Sequence, residues 1–249
     1  MATHEAPTPP PSRVFRDLRG TNQTAMRARN ERIVLSLLRE RGALAKAEIA
    51  RLSGLSAQTV SVIMRALEDD DLLIRGEPVR GKVGQPSIPM SLNPTGACFF
   101  GLKVGRRSSD LVLVDFLGRD LAYRRLRYSY PSPDATVEFV REGVASMLAE
   151  ADTDQMLRVA GLGIAIPGYM WEWAAAIGEP PERLAAWQHR DISGEIRALF
   201  DFPVYSQNDA SSACRAELVF GQQDNPPDFL YVYVGYFVGG GLVLDNALF

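Results

Sequence analysis

The sequence predicts an α/β protein headed by a winged helix-turn-helix. Three observations lead to that fold class. Before residue 93, two short amphipathic helical patterns are joined by a glycine turn and followed by a two-stranded ribbon. Beyond Asn93-Pro94 the rhythm changes to three strand patterns in succession, then to helices and strands in alternation, as in a mixed-sheet α/β domain. The charge divides at the same place: residues 1–92 hold 14 Lys+Arg against 10 Asp+Glu, whereas residues 93–249 hold 13 against 20. A basic front on an acidic body suits contact between that front and a polyanion.

The 249 residues suffice for one large domain or two smaller ones with a sizeable core. A composition of 46% hydrophobic and 23% charged residues is that of a soluble globular protein. No apolar run approaches the ~20 residues needed to cross a bilayer. The opening "MATHEAPTPPPS" lacks the apolar stretch of a secretory signal, and its prolines and small polar residues predict a disordered tail over residues 1–20. Cys98 and Cys214 lie far apart, with no second Cys or His at metal spacing. Two buried thiols in a reducing cytoplasm are expected, and no metal site.

The head is expected to span residues 21–93. From Asn30, "NERIVLSLLRERG" places Ile33, Val34, Leu37 and Leu38 on one stripe, with Gly42 as a stop. In "AKAEIARLSGLS", Ile49 and Leu52 point one way, and Ser53-Gly54-Leu55 turns the chain. Ser56 is placed to cap "AQTVSVIMRALEDDD", whose apolar stripe is Val60, Ile63, Met64 and Leu67. The strand "LLIRG", the loop "EPVRGKVGQPS" and the strand "IPMSLNP" then form a wing.

A helix that reads base edges needs one apolar side against the protein and one short polar side for the major groove. Ser56, Gln58, Thr59, Ser61 and Arg65 form such a polar side. Gln suits a bidentate contact with adenine, and Arg suits one with guanine. Arg75, Arg80 and Lys82, with Gln85 beside them, lie on the wing, where they suit phosphates or a minor groove. Gly81, Gly84 and Pro86 keep that wing thin. Double-stranded DNA is therefore the expected partner.

In the α/β part, strands are expected over 98–104, 110–116 and 121–129, and a helix over 134–151. The strand "VAGLGIAI" ends in Pro167-Gly168. A helix over 192–200, the strand "PVYS", a helix over 210–220 and the hairpin "FLYVYVGYFVGGGLVLD" complete the chain. The first two strands enclose "GLKVGRRS", with Lys103 at the entrance of the turn and Arg106-Arg107 at its tip. His4 and His189 have no neighbour for metal or catalytic work. Trp171, Trp173 and Trp187 are expected to pack, and Gly239 to Gly241 to permit a turn and close strand packing.

The helix-turn-helix segment "NERIVLSLLRERGALAKAEIARLSGLSAQTVSVIMRALEDDDLL", the wing "GKVGQPSIPMSLNPTG", and then "GIAIPG" and "NDASSACRAE" resemble, in that order, the transcriptional-regulator branch of the ROK family (repressor, open reading frame, kinase). The resemblance runs from about Gly20 onward. It implies an actin-like (ribonuclease H-like) sugar-kinase-type domain of two lobes, whose cleft binds sugar and ATP in kinase members. Residues 94–228 would form the first lobe, and residues 229–249 the first hairpin of a second lobe that is incomplete.

Kinase members place an Asp at the entrance of the first phosphate hairpin, where this chain has Lys103. They carry Gly-Thr-Gly in the second phosphate loop, where it has Gly235-Tyr236-Phe237. Lysine does not hold Mg²⁺, and two bulky rings obstruct close approach to a phosphate. The resemblance therefore implies a retained hairpin without phosphotransfer, with no catalytic residue and no cofactor. Asn208 and Asp209 match the family's sugar-site pair, and Gly168 would leave room for a sugar face. Asp209 as a simple cap of the following helix is the other reading.

The family regulators' Cys-rich zinc motif and most of their dimerisation helices have no counterpart before Phe249, so the resemblance is to a regulator truncated at its C-terminus. The implied function is that of a cytoplasmic repressor of sugar uptake or catabolism genes. It would respond to a sugar or sugar-phosphate effector and, in full-length relatives, act as a homo-oligomer away from membranes. An active ROK sugar kinase, phosphorylating a hexose with ATP, is the alternative that Asp209 keeps open.

Overall fold

Helix α1 (Gln23–Arg41) buries Val34 and Leu38 and ends at Gly42, whose φ of +77° is one that glycine adopts without a Cβ penalty. The computed structural model to which this helix belongs describes residues 23–79, 87–150, 158–221 and 226–249. Helix α2 (Lys46–Ser53) closes on Gly54 in the left-handed region and buries Ile49. Leu52, expected beside Ile49, is exposed, because α2 stops one residue later and its last turn lies beyond the packed contact. Helix α3 (Ala57–Asp69) starts on Ser56, whose Oγ accepts from the Thr59 amide at 3.1 Å. Its buried residues are Val60, Ile63, Met64 and Leu67, the i, i+3, i+4, i+7 stripe of an amphipathic helix.

Strands β1 (Leu73–Arg75) and β2 (Met90–Leu92) pair antiparallel. Val79 and Ser87 exchange backbone bonds of 2.8 and 3.0 Å at the neck of the wing. The head is thus three helices and a ribbon around one apolar cluster. Ala97, Phe99, Phe116 and Leu117, from beyond residue 93, pack into that same cluster.

The α/β part is built on a five-stranded mixed sheet, in agreement with the predicted class. Strands β3 (Cys98–Val104), β4 (Ser108–Asp115) and β5 (Asp120–Arg127) run antiparallel; β6 (Val159–Ile166) and β7 (Val204–Asn208) continue parallel to β3, giving the order β5-β4-β3-β6-β7. Helix α4 (Pro133–Glu150) brings Val140, Val144 and Met147 to the main core.

The segment after Gly168, which the sequence pattern left unassigned, is helical. A 3₁₀ turn (Met170–Trp173) leads into α5 (Ala174–Ile177) and α6 (Pro181–His189), ahead of α7 (Ile192–Arg197), the helix expected over 192–200. Gly178 just past α5 and Pro181 at the start of α6 are the stop and start signals that mark it. Trp187 of α6 is buried and its indole N–H donates to the Pro131 carbonyl at 2.9 Å. His189 is the exposed last residue of α6.

Helix α8 (Asp209–Phe220) packs on β6 and β7 and receives a second sheet, β8 (Phe229–Val234), β9 (Val238–Leu244) and β10 (Ala247–Leu248). The contact is close because β9 presents glycines: a Cβ on Gly239 would lie 3.0 Å from the Ala210 Cβ, and one on Gly241 2.6 Å from the Cys214 Cβ. Among the described residues, no helix is long and apolar enough to cross a membrane.

Candidate DNA-reading helix and ligand cleft

The outward face of α3 carries Gln58, Ser61, Val62 and Arg65, again at i, i+3, i+4, i+7 but opposite the buried stripe. Gln58 and Arg65 are exposed, and neither forms a hydrogen bond or ion pair among the described residues. Ser56 and Thr59 lie at the edge of this face with their hydroxyls bonded to each other at 2.8 Å, so both also hold the start of the helix. Sorting by polarity passed over Val62. It is 57% exposed in the middle of the polar face, where an apolar contact suits a thymine methyl.

Arg75 grips the Glu68 carboxylate with both Nε and Nη2, and this holds the Glu68 carboxyl below its usual range. That pair ties the wing strand to the last turn of α3. Arg80, Lys82 and Gln85 lie outside the described residues.

A second site is a cleft of about 510 Å³ between the sheet and the β8–β9 turn. It brings all three predicted sugar contacts, Gly168, Asn208 and Asp209, together with Lys103 and Arg106 of the β3–β4 hairpin and with Tyr236 and Phe237. Asn208, rather than Asp209, caps α8: its Oδ1 accepts from the amides of Ala210 and Ser211 at 3.0 and 3.2 Å. Asp209 is the first helical residue, half-buried in the cleft, with Oδ1 accepting from the Ala210 amide at 2.9 Å. Nothing lies within 4 Å of a Cβ built on Gly168, so that glycine borders open space.

The aromatic residues at the β8–β9 turn are anchored. Tyr236 donates its hydroxyl to the Ala176 carbonyl at 2.5 Å, and the Phe237 ring packs against Trp173 with centroids 4.9 Å apart. The Arg106 guanidinium lies over the Tyr236 ring at 4.0 Å. The hairpin that presents Arg106 is braced from behind. The Tyr128 hydroxyl donates to the Gly105 carbonyl at 2.7 Å and bonds the Ser109 hydroxyl at 3.1 Å. Burial pushes that phenol up to about 12. The contact between Arg106 and Tyr236 joins residues 130 positions apart in the chain, and no local pattern announces it.

Helix α8 also reaches the head. It begins at the cleft and ends at Phe220, twelve residues and about 18 Å away. The Phe220 ring lies on Gly118, where a Cβ would come within 2.8 Å of it. Arg39 of α1 stands between Phe220 and Phe116, 5.3 and 5.8 Å from their rings, and donates to the Phe116 carbonyl at 2.6 Å. A second tie joins Asp71 to Arg158 at 2.8 Å.

Comparison with known proteins finds a match for each part of the chain. A model of the ROK family matches residues 99–249. The chain belongs to the ROK family. A winged helix-turn-helix DNA-binding model matches residues 27–74, so the ROK part and the head adjoin within the fold described above.

The xylose repressor of Bacillus subtilis is 21% identical over 232 residues, covering 92% of this chain and 58% of the repressor. A protein of Sinorhizobium fredii, y4fQ, is 28% identical over 218 residues, covering 87% of this chain and 55% of its own length. The crystal structure of a ROK family transcriptional regulator, a homologue of the E. coli MLC protein, superposes with a TM-score of 0.66 at 20% identity. It covers 90% of this chain and 56% of the other. The chain thus spans somewhat over half the length of these relatives. Lys103 and Arg106 of the β3–β4 hairpin and Tyr236 and Phe237 of the β8–β9 turn line a single cleft.

Proposed function

We propose that this chain is a transcriptional regulator that binds double-stranded DNA through α3 and the wing, and represses genes of sugar uptake or catabolism. The carrying observation is the outward face of α3, with Gln58 and Arg65 exposed on a helix whose other side is fully packed. The relatives named as xylose repressors support the sugar assignment. In this reading the cleft holds a small-molecule effector on Asn208, Asp209 and Gly168 and performs no phosphotransfer. Tyr236 and Phe237 are tethered where a phosphate loop would need open backbone, and Lys103 offers no carboxylate to a magnesium ion. Such a regulator works in the cytoplasm, and two copies would gain affinity for a symmetric operator through effective concentration.

The test is selection of genomic DNA fragments on the purified chain at low and near-physiological salt. A common motif retained at both salts is the expected result. Retention only at low salt, without a motif, would reduce the head to non-specific phosphate contact. The Asp209 carboxylate in the cleft favours the second reading, a sugar kinase. ATP-dependent phosphorylation of a hexose that Asp209→Asn abolishes would establish that reading and overturn the first.

Signalling from cleft to head is assigned to α8 and its contact with Arg39. Arg39→Ala is expected to lower stability by about 1–3 kcal/mol, because the Phe116 carbonyl loses its donor and two rings lose the guanidinium. In a titration of DNA affinity against effector, the same variant should respond less than the parent chain. An unchanged response would place the coupling elsewhere.

A further inference from the structure

We infer that the cleft contains an oxyanion subsite made by Lys103 and Arg106, and that its effector is an acidic sugar, bearing a phosphate or a carboxylate, rather than a neutral one. This rests on the reading of the cleft as a sugar-class effector site.

Arg106 is the principal observation. Its guanidinium carbon lies over the Tyr236 ring, 4.0 Å from the centroid, and its Nε is buried without a hydrogen-bond partner among the described residues. A guanidinium over a ring keeps N–H groups that match a carboxylate or phosphate. A buried N–H without an acceptor is unfavourable, and Arg106 lines the cleft, where a ligand oxygen would meet its guanidinium. Lys103 enters the same cleft from the other limb of the hairpin. Neither cation forms an ion pair among the described residues.

The nearby carboxylates make their hydrogen bonds elsewhere, although Asp110 feels the charge of Lys103. Asp110, directly opposite Lys103 in the strand pair, accepts from the Tyr123 hydroxyl and the Arg125 guanidinium. Asp209 accepts from an α8 amide and is the one carboxylate lining the cleft among the described residues. Two cations against one carboxylate leave the cavity positive, and the N-terminus of α8 adds to that field. A volume of about 510 Å³ accommodates a monosaccharide with its anionic group.

The experiment is calorimetric titration of the intact chain with hexose 6-phosphates, hexuronates and aldonates, their neutral parent sugars, inorganic phosphate and ATP. An acidic sugar of one class should bind about tenfold or more tightly than its neutral parent, with an affinity that falls as salt rises. Phosphates against carboxylates then identify the anion. Lys103→Gln and Arg106→Gln should each remove the preference, while Arg107→Gln, on the exposed tip outside the cleft, should retain it.

The salt dependence of the unaltered chain carries the test if a variant fails to fold. Equal binding of neutral and acidic sugars, or a preference that survives in both Gln variants, overturns the anion subsite and leaves the effector cleft standing. Binding of phosphate or ATP without any sugar also overturns it. Absence of binding by every sugar overturns both.

Discussion

Gln58→Ala and Arg65→Ala are each expected to weaken binding to the cognate DNA site by about 1–3 kcal/mol while leaving binding to random duplex nearly unchanged. Both side chains are exposed on α3 and lack partners within the described residues, so truncation takes nothing from the fold. Alanine is also the best helix former, so α3 itself should not weaken. Any loss is then a loss of recognition. The measurement is a pair of titrations, on cognate and scrambled duplex, at two salt concentrations. A base reader changes the ratio between the duplexes, and a phosphate contact lowers both together and flattens the salt slope. Equal loss on the two duplexes would remove Gln58 or Arg65 from the reading face. Arg75 should behave differently, since its guanidinium is already committed to Glu68 and its truncation also loosens the wing from α3.

Phe100→Ala is expected to cost about 3–5 kcal/mol of stability. Phe100 is 2% exposed on the central strand, flanked in register by Leu113 of β4 and Leu162 of β6. Its ring stacks on Phe202, with centroids 6.1 Å apart, and Phe202 in turn stacks on Phe200 at 4.8 Å. Removing it opens a cavity among residues fixed by a sheet on two sides, where collapse is least available. Chemical denaturation of the parent and variant chains checks the figure. A loss below about 1 kcal/mol would mean that this layer is not closely packed.

Much of the fold could be read from local pattern, and the reasons are specific. The stripe Val60, Ile63, Met64, Leu67 has helical period and a serine cap in front of it, and both signals lie within one segment. Strands β3 and β4 alternate buried and less buried residues over their whole length, as a half-covered sheet requires. The helices between Met170 and His189 were missed because their stripes are short and aromatic, and only Gly178 and Pro181 punctuate them. Leu52 matched the period of Ile49 and still faces solvent, since periodicity gives a direction and not the point where the neighbouring element ends.

The sites divide in the same way. Sequence alone determined the head, the polar face of α3 and the order of most of the α/β elements. Each of these depends on residue type and near spacing. Only tertiary structure decided that Asn208 caps α8 and frees Asp209 for the cleft, that Arg106 stacks on Tyr236, and that Phe220 meets Arg39. Those contacts join residues 130 and 181 positions apart or choose between two adjacent side chains. Backbone geometry and packing settle such choices, and neither is written in any one segment of the chain.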